Sequence, residues 1–377
     1  MIDDQQYSEA REHLLRIKAR VAEQAVERQR AINEKIAGNA NLADIGHKVL
    51  DATLAIQMEH LPDSEIVLRQ IVRGVDAACQ ALKFDLGKGV IPGVLPIRGL
   101  GAFSSDFYGT GIAIVGIDAA LVPFTGMLTD LFAQTFEYEE VDNGIAIVPD
   151  PARSVDRLIG GKTILENSRD AQQGRDSLIH YWERFFLHFA GLSFAWPRPK
   201  LTETQSIIKF QLSSAMEVFV VGHEYGHHIR RHNTGVGAAS TVPAENAHRH
   251  ELEADTTAWL IAKYPGSIGF AGEPTNIRNL WMESSAGAAV YLTTAEMVRR
   301  VREILETGTV TEPSSSTHPS IRERLAALSI WDGFDESMRA EFRVRRWLLC
   351  SIIERIYNYL TPKFFAAHEA GFRPTHL

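Results

Sequence analysis

Residues 221–228, Val221-Gly222-His223-Glu224-Tyr225-Gly226-His227-His228, decide how this chain folds and what it can do. The stretch contains the pattern His-Glu-x-x-His, and residues four apart are neighbours on one face of a helix. Two imidazoles so placed, those of His223 and His227, can bind one zinc ion. The adjacent Glu224 can then take a proton from a water molecule at the metal. The stretch therefore predicts a metal-binding helix.

The residues around this stretch predict that the helix is long and buried. The helical pattern runs from about Thr204 to His232, and residues 218–221 are apolar all round, which is typical of a helix in a core. Asn233 and Gly235 are expected to end it. Gly226 costs a helix about 1 kcal/mol relative to alanine. We therefore expect another backbone or a ligand to approach closely there.

A second helix, expected to begin near Pro243 and to stop at Tyr264-Pro265-Gly266, supplies candidate carboxylate ligands. A hydrolytic zinc site has three protein ligands and one position open to water. Both Glu251 and Glu253 are available as the third ligand. We favour Glu251, because Asp255 lies one turn later on the same face. Asp255 is then expected to accept a hydrogen bond from a ligand histidine, with His223 the first choice.

The neighbouring polar residues are expected to have lesser parts. His228 points away from the metal-binding face, and His232 caps the helix or lies at the surface. Glu253 lies on the other side of the second helix as a solvated charge, whereas His250 is a weaker candidate for a contact behind the ligands. Two small residues would let the second helix approach the first closely: Ala254 and Ala258.

The order of the motifs resembles the gluzincin metallopeptidase family of HtpX and the type I CaaX prenyl proteases. Three segments carry the resemblance: His223-Glu224-Tyr225-Gly226-His227, Glu251-Leu252-Glu253-Ala254-Asp255, and Ser316-Thr317-His318-Pro319 with Arg324 beyond it. The resemblance implies that Glu251 is the third zinc ligand. It also implies that His318 and Arg324 stabilise the oxyanion formed when water attacks a peptide carbonyl.

The resemblance covers residues from about Phe210 to Leu328 and leaves the N-terminal half unmatched. Many members of the family carry transmembrane helices around the site, and this sequence shows none that is convincing. Gly109–Leu128 is apolar but is interrupted by Asp118, Pro123 and several glycines. We interpret it as a buried strand, Ile112–Ile117, followed by a second apolar piece. The alternative for this stretch is peripheral contact with a membrane. The resemblance does not imply that the substrate is prenylated or lies in a membrane.

Composition limits the class of protein. The net charge of −8 over 377 residues argues against a nucleic-acid partner. The two cysteines, Cys79 and Cys350, form no disulfide framework and are expected to be core thiols. The N-terminus is acidic and has no apolar signal-like segment. Together these features favour a cytoplasmic location.

The chain is expected to be α+β and mainly helical, with a zincin-like metallopeptidase core. We predict an N-terminal helical region at residues 1–85, a catalytic domain at 86–330 and a C-terminal helical extension at 331–377. The first region should hold a helix over about 7–35 that packs on the catalytic domain or binds a partner, and more helix over 42–82. The glycine-rich segment Gly87–Gly111 is expected to be irregular with short strands, with a further strand at Ile145–Val148.

These observations predict a zinc-dependent endopeptidase that binds one Zn²⁺ per chain and acts on a protein or peptide substrate. Two alternatives stay open: a regulatory protease that cleaves one specific partner, and a non-catalytic zincin-like binding scaffold. Ile112–Ile117 is a candidate for the strand that pairs with the substrate. The segment Thr307–Ser316 is expected to be mobile and to order over the metal when substrate binds.

Overall fold

The computed structural model of this chain describes residues 4–37, 64–96, 100–141, 144–160, 178–192, 200–232, 244–268, 279–311, 318–330, 332 and 335–374. Over these residues the fold is mainly helical with few strands, which confirms the α+β, mainly helical class. Several predicted features lie wholly or partly outside them: the part of the 42–82 helical region before residue 64, the helix end at Asn233 and Gly235, residues 312–316 of Thr307–Ser316, and Ser316-Thr317.

The described elements follow one another along the chain. They are α1 Asp4–Ala37, α2 64–81, β1 Gly89–Leu95, β2 Ala102–Asp106, β3 Ile112–Asp118, α3 Leu121–Thr135, β4 Tyr138–Val141, β5 Gly144–Ile147, α4 Pro151–Ile159, α5 Leu178–Phe189, α6 Glu203–Ile229, α7 Ala244–Ile268, α8 Leu280–Glu283, α9 Ala286–Thr307, α10 Ile321–Ser329 and α11 Glu336–Glu369.

Three of the strands form a small mixed sheet with the order β1-β3-β2. Strand β3 is parallel to β1 and antiparallel to β2, with Gly89 opposite Ile112 and Asp106 opposite Ala113. The expectation that Ile112–Ile117 pairs with a substrate is therefore wrong, because β1 and β2 occupy both sides of that strand. The short strands expected in the glycine-rich segment Gly87–Gly111 are β1 and β2.

The two faces of this sheet bury different side chains, because successive residues of a strand point to opposite faces. Val115 and Ile117 of β3 join the main core, whereas Ile112 and Ile114 face a smaller cluster. Ala10 and Leu14 of α1 complete the smaller cluster, so the first half of α1 covers the sheet.

Helix α6 runs through the main core. It begins with a capping box in which the side chain of Thr202 accepts from Gln205 N and the side chain of Gln205 accepts from Thr202 N. From Ala215 to Gly222 every residue is buried, as the apolar pattern predicts. Tyr225, between the two motif histidines, donates a hydrogen bond of 2.9 Å to Asp76 Oδ1 of α2. The described part of the N-terminal region therefore anchors the motif helix.

The same core reaches both ends of the chain. It includes Leu68 of α2 and Phe364 of α11, so the described parts of all three predicted regions pack together. Helix α7 continues to Ile268, so the predicted stop at Tyr264 is wrong: Pro265 is accommodated inside the helix. The apolar stretch after Gly109 divides into β3 and α3, as predicted. None of the described helices combines the length and apolarity needed to cross a bilayer.

Candidate metal centre

Close packing of α6 on α7 brings the metal-binding motif to its third ligand. A Cβ added to Gly222 would lie 3.3 Å from Ala258 Cα, and one added to Gly226 would lie 2.9 Å from Ala254 Cα. The two glycines and the two alanines are each four residues apart, so they form matching stripes on the two helices. The small residues set the separation of the helices, and that separation places Glu251 of α7 beside the histidines of α6.

Three donor atoms meet at one point. His223 Nε2 lies 3.1 Å from His227 Nε2, and the carboxylate of Glu251 faces both rings, with Oε2 3.4 Å from His223 Nε2 and Oε1 3.4 Å from His227 Nε2. Tetrahedral zinc with bonds of about 2.0–2.1 Å separates its ligand atoms by about 3.3–3.4 Å. The three donors therefore lie close to the corners of one face of such a tetrahedron. Among the described residues, only these three form a cluster of metal-binding type.

The tautomer of His223 is set by Asp255. His223 Nδ1 lies 2.9 Å from Asp255 Oδ1, and a carboxylate can only accept, so Nδ1 carries the hydrogen and Nε2 keeps its lone pair. The contact predicted from the sequence is therefore present. Asp255 is fully buried and also accepts from Arg324, with Nε 2.7 Å from Oδ2 and Nη2 2.6 Å from Oδ1.

His227 is held by a different partner. Its Nδ1 lies 3.0 Å from His232 Nδ1, and His232 Nε2 lies 3.0 Å from Glu253 Oε2. Burial lowers the pKa of His232 to about 4, so its ring is neutral and carries one hydrogen. That hydrogen is on Nε2, which donates to the carboxylate, so His232 Nδ1 accepts from His227 Nδ1–H. His227 Nε2 is then left with its lone pair.

The two histidine lone pairs point at each other, and this is a test of whether a metal fits. Two facing nitrogen lone pairs at 3.1 Å would repel, so the two rings must share either a proton or a metal ion at this point. The carboxylate of Glu251 on the third corner adds negative charge to the same point. The residues present therefore fit a divalent metal ion, and imidazole and carboxylate together suit zinc.

The electrostatics of the cluster also favour a positive charge. Burial by itself would lower the pKa of His223, but hydrogen bonds with Asp255 and Glu251 raise it to about 10, so that when no metal is bound a proton occupies the lone pair of Nε2 that the metal would take. Burial opposes the ionisation of Glu251, but its contacts with His223 and His227 hold its pKa well below the usual range. Glu251 is therefore ionised and available as a ligand.

Glu224 is buried beside the cluster, with 7% of its surface exposed. Burial raises its pKa, while the charges of His223 and His227 act in the opposite direction. Its carboxylate has no hydrogen-bond partner among the described residues. A buried carboxyl with an elevated pKa and open acceptor positions is the type of group that acts as a general base.

The structure brings the two residues carried over from the resemblance to the same place but in different settings. His318 is 59% exposed, and its Nε2 lies 3.8 Å from Glu251 Oε1. Arg324 is buried, and Asp255 binds two of its nitrogens, while Nη2 lies 3.9 Å from Glu251 Oε2. His318 thus lies at the exposed side of the cluster, whereas Arg324 supports it from behind.

Sequence reasoning missed the part played by His232 and Glu253. The side chain of His232 is 5% exposed, so it is neither a surface residue nor a simple cap. Glu253 is partly solvated, with 43% of its side chain exposed, but it also accepts from His232. His250 stacks on His232 with ring centroids 4.1 Å apart, and His228 turns away to Leu86 O at 2.9 Å. The repeated histidines of the sequence were the available signal for these contacts. Which histidines pair depends on the backbone conformation at the end of α6, and the sequence pattern does not give that conformation.

A cavity of about 300 Å³ lies between β2 and the end of α6, and His227 is the member of the cluster that lines it. Its wall includes His227 and His228 from the helix and Ser104 and Asp106 from β2. Strand β2, not β3, is therefore the strand nearest the metal-binding residues. The cavity gives the cluster access to a ligand larger than water.

No family model, no curated protein and no solved structure matches this chain.

Proposed function

We propose that this protein is a zinc-dependent endopeptidase of the gluzincin type, with a zincin-like core formed by α6, α7 and the mixed sheet. One observation carries the proposal. His223, His227 and Glu251 present three donors at the separations of a tetrahedral zinc site, and a buried carboxylate without a partner, Glu224, lies on the same helix. A structural zinc would call for a fourth protein ligand, and a structural site has no use for a base.

The chain's own residues divide the chemistry. When bound, zinc supplies Lewis acidity that polarises the scissile carbonyl and lowers the pKa of water. Glu224 takes the proton from the attacking water and passes it to the leaving amine. Its raised pKa matches the first step, because a carboxylate with a higher pKa is a stronger base toward the attacking water. The peptide bond breaks as the amine departs with that proton.

The remaining site residues orient the ligands and the substrate. Asp255 keeps His223 in the tautomer that leaves Nε2 free, and Arg324 neutralises the buried charge of Asp255. His318 is the exposed cation-forming group closest to the cluster. It donates a hydrogen bond to the oxyanion that forms on the carbonyl oxygen.

The substrate lies in the cavity between β2 and α6. Ser104 and Asp106 face this cavity from alternate positions of β2, and His227 forms the other wall. An extended peptide in this cavity places its backbone beside the metal-binding residues. The proposed substrate class is accordingly a protein or peptide, with the sequence preference set by this wall.

The test compares the wild type with Glu224→Gln and with Glu203→Gln, a matched control at the exposed start of the same helix. Zinc content and the cleavage of unfolded casein are measured for each. One zinc per chain in all three proteins, with cleavage by the wild type and the control only, is the expected result. A wild type without zinc would overturn the proposed metal site. Zinc in all three with no casein cleavage would overturn general endopeptidase activity and favour either a protease for one partner or a scaffold.

A further inference from the structure

We propose that His232 and Glu253 are positioning residues for His227, acting as a relay that runs from carboxylate to imidazole to ligand. The two ligand histidines are then held in different ways: His223 directly by Asp255, and His227 by Glu253 through His232. The inference rests on the proposed metal site and does not depend on peptidase activity.

The end of α6 places His232 over His227. Arg231 has a left-handed backbone with φ of 58°, which reverses the chain after the last helical residues. Its N–H donates to His228 O at 3.0 Å, and the N–H of His232 donates to His227 O at 2.9 Å. These two bonds form a Schellman motif, in which the second residue past the cap folds back over the last turn. The backbone thus fixes His232 beside the ligand that lies five residues earlier.

The relay has a consistent direction of donation from the metal site outward. A metal bound at Nε2 leaves the hydrogen of His227 on Nδ1, which lies 3.0 Å from His232 Nδ1, and His232 Nε2 lies 3.0 Å from Glu253 Oε2, which can only accept. Each ring therefore uses one nitrogen to donate, and Glu253 ends the chain as an acceptor. His250 stacks on the face of His232, nearly parallel at 10°, and keeps its ring in the plane that the two hydrogen bonds require.

Such a relay affects the metal because it controls the ligand. A ligand imidazole whose other nitrogen donates a hydrogen bond is fixed in tautomer and orientation, and its free nitrogen becomes more basic. Without His232, the Nδ1–H of His227 would lose its acceptor, and the ring would be free to adopt the other tautomer or to rotate. The expected consequence is weaker metal binding.

The test measures metal binding without any substrate. Zinc affinity is determined by competition with a chromogenic chelator for the wild type, His232→Phe, Glu253→Ala and the double variant. Visible absorption of the Co²⁺-loaded proteins reports on the ligand geometry. Each single variant is expected to bind zinc about 10–100-fold more weakly. The double variant should bind no more weakly than His232→Phe, because both changes break one chain of hydrogen bonds.

Two further variants separate positioning from simple packing. His232→Gln should restore much of the affinity that His232→Phe loses, because an amide oxygen can accept from His227 Nδ1. Ser267→Ala is the matched control, since Ser267 is exposed near the other end of α7 and its hydroxyl donates to Lys263 O. It should leave affinity unchanged.

Two outcomes would overturn the relay. The first is a zinc affinity of His232→Phe within about twofold of the wild type, together with an unchanged cobalt spectrum. The second is a loss of zinc affinity in the double variant that equals the sum of the losses in the two single variants. Because Glu253 is 43% exposed, Glu253→Ala is expected to fold even if His232→Phe does not. A protein that binds zinc, responds to these variants as expected and cleaves nothing would uphold the relay while rejecting the peptidase.

Discussion

Gly226 lies against the backbone of Ala254, with room for a hydrogen atom but not for a methyl group. A Cβ at Gly226 would lie 2.8 Å from Ala254 O and 2.9 Å from Ala254 Cα. This contact sets the separation between His223 and His227 on α6 and Glu251 on α7, the three residues of the proposed metal site. The metal site therefore depends on a packing relationship as much as on the ligands.

Gly226→Ala should weaken both the fold and the metal site. The added methyl group must push α7 away from α6, which is expected to cost about 1–3 kcal/mol of unfolding free energy and to move Glu251 from the histidines. Urea unfolding and zinc affinity would check this. Gly126→Ala is the matched control, because Gly126 lies within a helix and an added Cβ there meets nothing within 4 Å. The control should stabilise by about 0.5–1 kcal/mol and bind zinc normally.

Arg324→Lys should show whether Arg324 positions Asp255 or stabilises an oxyanion. Lysine keeps the positive charge, but its ammonium group cannot donate to both oxygens of Asp255 in the bidentate geometry of a guanidinium. A positioning role predicts zinc affinity about 10–100-fold lower. Arg322→Lys, at an exposed site on the same helix, should have no effect. Normal zinc affinity combined with a reduced kcat would instead support the oxyanion role that the resemblance implies.

His318→Ala should separate substrate chemistry from metal binding. The exposed ring lies beside the cluster without completing it, so zinc content should not change. Loss of one oxyanion donor typically lowers kcat by about 100-fold or more. Steady-state cleavage of a peptide substrate, with zinc measured on the same samples, tests this. A loss of zinc in the variant would place His318 among the ligands.

Glu217→Gln should change how stability depends on pH. Burial raises the pKa of Glu217 from its ordinary value of 4.5 to about 7, while the hydroxyl of Thr125, 2.6 Å from Oε1, acts in the opposite direction. The pKa of Glu217 is higher in the folded state than in the unfolded state, so the protonated carboxyl contributes to the free energy of unfolding. This contribution is complete at pH values below the unfolded pKa and is lost as the pH rises through the folded pKa. The wild type should lose up to about 3 kcal/mol between pH 4.5 and 7, to the order of magnitude.

Unfolding free energies of Glu217→Gln should lack that loss, since an amide does not titrate in this range. The difference between variant and wild type is therefore expected to grow in favour of the variant from pH 5 to pH 8. Glu203→Gln provides the comparison at an exposed position of the same helix. Parallel pH profiles for the wild type and Glu217→Gln would contradict the prediction.

Arg231→Val should disturb the turn that places His232. A β-branched residue is strained in the left-handed conformation found at Arg231, so the variant should lose stability and bind zinc more weakly. Arg231→Gly should keep zinc affinity, because glycine adopts this conformation readily. Lys83→Val is a matched control: Lys83 has φ of 56° in a similar turn, with N–H bonds from Lys83 to Gln80 O and from Phe84 to Cys79 O. It should lose stability without losing zinc affinity.

Much of the helical fold and the ligand set follow from local patterns. The spacing of His223 and His227, the apolar run before them and the carboxylates of the second helix are short-range features, and a helix converts them directly into shared faces. Gly226 by itself predicts that another backbone or a ligand approaches the helix closely, and that neighbour is the backbone of Ala254. The strand at residues 112–117 was equally clear, because an apolar run bounded by glycines is a local signal.

Apart from the helix stop predicted at Tyr264, the errors concern relationships between distant residues. The neighbours of β3 on both sides come from a glycine-rich segment whose pattern is irregular, so the sequence did not show that this strand is central. The pairing of Arg324 with Asp255 spans 69 residues and that of His232 with Glu253 spans 21. No sequence feature of one residue identifies its partner, because other carboxylates of the chain could accept the same hydrogen bond.

The sequence alone determined which residues can bind the metal, because helix periodicity turns a five-residue motif into a pair of ligands on one face. Tertiary structure alone decided how those ligands are held. The tautomers of His223 and His227 depend on which acceptor packs against the second nitrogen of each ring. That choice is made by the distance between α6 and α7 and by the turn at Arg231, where packing and backbone geometry act together.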